Sequence, residues 1–120
     1  MRAHLVRVVD GDTIEVLARI WPDHYVETLV RLAGIDAPEL RGRCASEVAQ
    51  AERAKARLAR LLAGARLQLV DVHYGKYAGR VVARVLTENG GDVAAILLAE
   101  NLVRAYRGGR RAGWCGPAAE

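Results

Sequence analysis

The period of hydrophobic and polar positions changes along this chain, and the changes mark its elements. Ala3 to Val9 and Ile14 to Arg19 are short runs rich in β-branched residues, as strands are. Between them lies Asp10-Gly11-Asp12-Thr13, and Asp-Gly flanked by such runs is a strong hairpin signal. Trp21-Pro22-Asp23-His24 predicts a second turn, because Pro has no N–H to give to a ladder. Val26 to Gly34 predicts a third strand. Asp36-Ala37-Pro38-Glu39 follows, where Pro38 biases Ala37 away from helix.

The period then lengthens. Val48, Ala51, Ala54, Leu58, Leu61 and Leu62 fall on one stripe, with Glu52, Arg53, Arg57 and Arg60 opposite. This spacing predicts a helix from Ser46 to Leu62, stopped by Gly64. Arg66 to Asp71 and Val81 to Leu86 read as strands again. Asn89-Gly90-Gly91 turns the chain, and Asp92 caps a second helix from Val93 to Glu100. The Arg- and Gly-rich tail begins at Arg104 and is expected to be flexible over residues 112–120. The order β-β-β-α-β-β-α, mainly β with helices added, fits a small closed barrel of five strands.

Composition narrows this picture. A chain of 120 residues is one domain's worth, so 1–120 is expected to form a single domain. With 52% hydrophobic and 27% charged residues, disorder is excluded as the main state. The longest fully apolar run, Val93 to Ala99, is far short of the ~20 residues a membrane span needs, so no membrane partner is expected. No cationic stretch followed by an apolar one opens the chain, so no signal peptide is expected within it.

The net charge is +4, and only Lys55 and Lys76 among the 18 cations are not Arg. The planar guanidinium fork matches phosphate, which favours a polyanionic partner. The chain's many alanines offer a plainer source for the arginines, in genomic base composition. With no Phe, four Tyr and two Trp, a broad base-stacking platform is not expected. Cys44 and Cys115 fit no zinc spacing, and their count leaves open either a bridge or two thiols.

The acids Asp10, Asp12, Asp36 and Glu39 lie at strand ends or in turns. Each alone is an ordinary turn residue. Two acidic turns beside Arg31 and Gly79-Arg80 are a more specific set, because hard oxygen ligands in turns suit Ca²⁺ or Mg²⁺. The Asp10–Asp12 turn is no EF-hand, lacking the further acids and the glycine that loop requires.

Three segments in order, Val9-Asp10-Gly11-Asp12-Thr13, Val30-Arg31-Leu32-Ala33-Gly34-Ile35-Asp36-Ala37-Pro38-Glu39 and Lys76-Tyr77-Ala78-Gly79-Arg80, resemble the staphylococcal nuclease family. The resemblance runs from about His4 to Arg111. It implies a five-stranded OB-fold barrel with two to three helices, and hydrolysis of phosphodiesters in DNA and RNA with one Ca²⁺. Carried over by position, Asp12, Asp36 and the backbone carbonyl of Ala37 would hold the ion, with Asp10 just outside them. Arg31 and Arg80 would grip the phosphate, and Glu39 would act on the attacking water. The expected products carry 3′-phosphate ends. Lys76, Tyr77 and Tyr106 would contact substrate. Cys44 and Cys115 resemble those of a cysteine-bearing branch, which implies a disulfide and a secreted or periplasmic, monomeric protein.

Three departures from the family pattern stand out. Ala78 separates Tyr77 from Gly79, where the pattern runs Tyr-Gly-Arg, so Lys76 and Tyr77 move back by one residue. Only Leu40 to Ala45 separates Glu39 from the helix, where the family carries a long basic loop. A second base-facing tyrosine is missing after Tyr106; Arg107, Arg110 and Arg111 would either track a nucleic-acid backbone instead or form a solvated basic tail. The alternative function is a non-catalytic OB-fold module that only binds nucleic acid. The acidic cluster, complete here, distinguishes the two.

Overall fold

A computed structural model describes residues 1–75, 79–89, 91–109 and 113–115. Strands β1 (Arg2–Asp10), β2 (Thr13–Trp21) and β3 (His24–Leu32) form an antiparallel meander. A two-residue strand β4 (Ile35–Asp36) precedes helix α1 (Ala45–Leu62). Strands β5 (Leu67–Tyr74) and β6 (Arg80–Thr87), a short β7 (Gly91–Asp92), helix α2 (Val93–Ala99) and a short β8 (Arg104–Ala105) complete the chain. The sheet runs β3-β2-β1-β5-β6-β7, and β3 also pairs with β6 in parallel. That last pairing closes the expected five-stranded barrel. Among the described residues the helices are the two predicted.

Alternate side chains of the barrel strands point inward: Ile14, Val16 and Ala18 from β2, Val30 and Leu32 from β3, Leu67 and Leu69 from β5, Ala83 and Val85 from β6. Helix α1 adds Leu58 and Leu62, and α2 adds Val93 and Leu97, to the same buried cluster. Asp92 caps α2 as predicted, its carboxylate accepting the Ala94 N–H at 3.0 Å. Arg57 joins the helices by a two-pronged bond to Glu100 at 2.8 Å.

The structure corrects several boundaries. The third strand ends at Leu32, two residues before Gly34, which turns the chain at φ +81°. Ile35 and Asp36 then leave the barrel ladder and pair with Ala105 and Arg104 instead. The Trp21–His24 turn is tighter than expected, because Trp21 and His24 themselves pair across it. The fourth predicted strand continues past Asp71 to Tyr74 through an irregularity at Asp71, whose φ is +52°. On α1 the buried stripe is Glu47, Ala51, Ala54, Leu58 and Leu62, while Val48 and Leu61 lie at its edge. The inward face is thus turned so that a carboxylate occupies its first position.

Residues 112 and 116–120 of the expected flexible tail lie outside the described residues. Within it, Gly113 accepts a bond from Arg104 at 2.6 Å, Arg104 lies over the Trp114 ring at 3.8 Å, and Cys115 is bonded to Cys44.

Candidate active site

The β1–β2 turn lies against the start of the chain between β4 and α1, and Gly11 makes that contact possible. A Cβ there would stand 2.7 Å from Ala54 Cβ and 3.0 Å from Ala37 Cβ, closer than such atoms approach. The acidic turn therefore sits directly on α1 and beside Ala37. Arg31 lies opposite Thr13 in the β2–β3 ladder, which points it toward the same turn.

Asp12 is buried at 4% exposure and is the hub of the cluster. One oxygen, Oδ2, accepts from Arg31 Nη1 at 2.8 Å and from the Ala37 N–H at 3.0 Å. The other, Oδ1, accepts from Thr13 Oγ1 at 2.9 Å. Asp10 accepts the Asp12 N–H at 3.1 Å. Arg31 gives Nη2 to the Ile35 carbonyl at 3.0 Å and stands 3.9 Å from buried Asp36 Oδ1. Both predicted ligand carboxylates therefore face one guanidinium.

The electrostatics follow from this crowding. Burial, then hydrogen bonding to Asp12 and the Asp12 charge, pushes the Asp10 carboxyl up to about 7 against the pull of the Asp12 N–H and Arg31. Burial pushes Asp12 up too, but the Asp10 hydrogen bond, Arg31, the Ala37 N–H and Thr13 together hold it below the usual carboxylate range. Burial and like charge thus favour keeping one proton on the pair to higher pH than an isolated aspartate would.

These groups open onto a cleft of about 390 Å³. Asp10, Asp12, Arg31, Ala37, Glu39 and Arg80 line it, together with Val9, Thr13, Leu40 and Arg41. Glu39 is exposed and Arg80 half-buried. Arg80 reaches the cleft because β6 starts in parallel beside β3: Gly79 O accepts the Leu29 N–H at 3.1 Å and Thr28 Oγ1 at 3.1 Å. The extra Ala78 leaves Arg80 on the cleft wall. Lys76, Tyr77 and Ala78 lie outside the described residues, as do Arg110 and Arg111.

Tyr106 sits behind the cleft. Its ring lies 5.9 Å from the Arg31 guanidinium carbon, its N–H bonds Gly34 O at 2.8 Å, and its hydroxyl donates to Gly109 O at 2.7 Å. Arg107 is exposed. Cys44 and Cys115 form a disulfide with a Cα–Cα separation of 6.2 Å.

Carboxylate oxygens suit a hard divalent cation, but those of Asp10, Asp12 and Asp36 do not converge as a group of three: both Asp12 oxygens accept bonds from Thr13, Arg31 and the Ala37 N–H, and Asp36 stands beside the same guanidinium. In donor chemistry Asp12 and Asp36 suit such an ion; here the Arg31 guanidinium is the positive charge that faces both. By contrast, Cys44, Glu47 and Cys115 cluster, but their sulfurs are joined to each other and offer no thiolate.

Sequence reasoning missed two residues near this cleft. Arg41 lines it, and a basic residue in the shortened loop was the available signal. Glu47 is buried behind the loop, with Oε2 accepting the Glu39 N–H at 3.1 Å. Its signal was an acidic residue three positions after the helix cap.

Residues 29–113 match the family described as Staphylococcal nuclease homologue. The matched stretch begins after the Asp10–Thr13 turn and includes Arg31, Asp36, Glu39 and Arg80. Among curated proteins, the micrococcal nuclease of Shigella flexneri is 36% identical over 114 residues, covering 88% of this chain. The chain spans 59% of that relative's length.

Proposed function

The chain belongs to the staphylococcal nuclease homologue family, and from that premise we propose that it is a calcium-dependent nuclease hydrolysing phosphodiester bonds in DNA and RNA. One observation carries the reading. Arg31 and Arg80 line a single cleft with the acids Asp10, Asp12 and Glu39, and Asp36 stands 3.9 Å from the Arg31 guanidinium.

A phosphodiester is anionic, and attack at phosphorus adds charge to its equatorial oxygens. Arg31 and Arg80 direct guanidinium N–H groups at that charge, which favours the transition state over the ground state. Asp12 and Ile35 hold the Arg31 fork in place before substrate arrives, so its orientation costs little at the moment of reaction. Glu39, at the cleft mouth, accepts the proton of the attacking water. Asp12, Asp36 and the Ala37 carbonyl would hold the calcium ion, with Asp10 outside them. When bound, the ion supplies a positive charge that polarises a phosphate oxygen. The expected products carry 3′-phosphate ends. Lys76, Tyr77 and Tyr106 are proposed substrate contacts. The disulfide supports an oxidising compartment, hence a secreted or periplasmic protein, and we propose that it acts as a monomer.

The test is digestion of single-stranded DNA, duplex DNA and RNA with Ca²⁺, Mg²⁺ or a chelator. Glu39→Gln serves as the control. Calcium-dependent cleavage that the control loses is the expected result. Binding without cleavage of any substrate would overturn the reading in favour of a non-catalytic module.

A further inference from the structure

The loop carrying Glu39 closes around a side chain that the hydrophobic pattern does not mark. Glu47 lies in the first turn of α1, three residues after the Cys44 cap. Its side chain is buried, at 7% exposure. Oε2 accepts the Glu39 N–H at 3.1 Å, and Oε1 accepts the Arg43 N–H at 3.0 Å. A Cβ on Gly42 would stand 2.6 Å from Glu47 Cγ, so the loop wraps the carboxylate at a distance only glycine permits. The Cys115 sulfur lies 3.9 Å from Oε1, and the Cys44–Cys115 bridge covers that side. A capping-box glutamate bonds the N–H of the cap residue itself. Glu47 reaches past the cap to Arg43 and to Glu39.

We propose that Glu47 is the positioning residue for Glu39. The inference rests on the proposed role of Glu39 toward the attacking water. A carboxylate on a short surface loop has several backbone states open to it. Catalysis needs it held within about 0.5 Å of its working place. Charge-assisted bonds from two loop N–H groups to one buried carboxylate remove most of those states. Glu47 touches neither substrate nor water; it acts by fixing the peptide from which the Glu39 side chain extends.

The experiment is a kinetic cycle on single-stranded DNA with Ca²⁺, comparing wild type, Glu47→Gln, Glu39→Gln and the double variant. Gln keeps the shape of Glu47 but turns an amide N–H toward one of the two peptide donors. Glu47→Gln is expected to lower kcat by up to about 100-fold at unchanged KM, the scale of a misplaced catalytic group. In the Glu39→Gln background it should lower kcat no further, because the carboxylate it positions is already gone. Wild-type kcat in Glu47→Gln, or losses that multiply in the double variant, would overturn the assignment. A slow Glu39→Gln beside a fast Glu47→Gln removes the Glu47 assignment alone. Wild-type kcat in Glu39→Gln removes the Glu39 reading and this one with it.

Backbone amide exchange at Glu39 and Arg43 gives a readout independent of activity. It should be slow in wild type and faster in Glu47→Gln; equal rates would overturn the proposal. Should Glu47→Gln fail to fold, Gly42→Ala pushes the same loop off the carboxylate. The same cycle with Glu39→Gln then decides by the same outcomes.

Discussion

Arg31 and Asp12 form a mostly buried ion pair that ties the third barrel strand to the acidic turn, Nη1 to Oδ2 at 2.8 Å. Both charges are bonded beyond the pair: Asp12 by Thr13 and the Ala37 N–H, Arg31 by the Ile35 carbonyl. Such full bonding is what makes a buried pair tolerable. It also fixes the plane of the guanidinium. Arg31→Lys replaces the planar fork by a point charge and cannot reproduce that orientation. Its kcat is expected to fall about 100-fold or more, the scale of losing one oriented donor to transition-state charge. Steady-state kinetics on DNA checks this, and unchanged kinetics would take Arg31 out of the site.

The Asp10 carboxyl, pushed up to about 7, links ion binding to pH. In the unfolded chain it would lose its proton near pH ~4, so the ion-free fold keeps a proton that the unfolded chain does not. The stability this lends is full below that lower value and lost as pH rises through about 7. A cation held beside Asp12, as proposed, would expel the same proton. Calcium affinity should therefore rise with pH, by up to about tenfold per unit, and level off above about 7. Calorimetry in two buffers of different ionisation enthalpy should detect proton release near pH ~6. Asp10→Asn should abolish that release.

The Cys44–Cys115 disulfide spans a sequence separation of 71 residues and fastens the chain end beside the start of α1. In the chain-entropy model a loop of that size is worth about 4 kcal/mol. Replacing both cysteines by Ser should lower unfolding free energy by that order, as urea titration would report. A thiol titration of unreduced, unfolded wild type should find no free thiol.

Gly11→Ala should be destabilising by about 1–3 kcal/mol, the range for an overpacked contact. The new methyl would press on Ala54 and Ala37, and neither neighbour has a flexible end that could move aside. Thermal unfolding checks the cost. The displaced turn also carries Asp10 and Asp12, so calcium affinity should fall with it.

Much of this molecule was legible in its local patterns. The short strand-like runs of β2 and β6, the helical stripe of α1 and the Asp92 cap report short-range preferences, and these survive into the fold. The Asp-Gly-Asp turn and the Asp36–Glu39 segment were equally readable, because turn chemistry involves near neighbours. Where the pattern misled, a distant partner had decided the outcome. The third strand stopped at Leu32 rather than Gly34, with Ile35 and Asp36 pairing to β8 beyond it, and Glu47 rather than Val48 turned inward to meet the loop that ends at Arg43. The sequence by itself thus determined where the five long strands and the two helices lie, but not the short strands β4, β7 and β8, and it marked most of the acids and arginines that are candidates for chemistry. Only the tertiary structure decided that Arg31 holds Asp12, that Arg80 shares their cleft and that Glu47 grips the Glu39 peptide. Those contacts depend on β3 closing against β6 and on α1 lying over the first turn, and no local period encodes such closure.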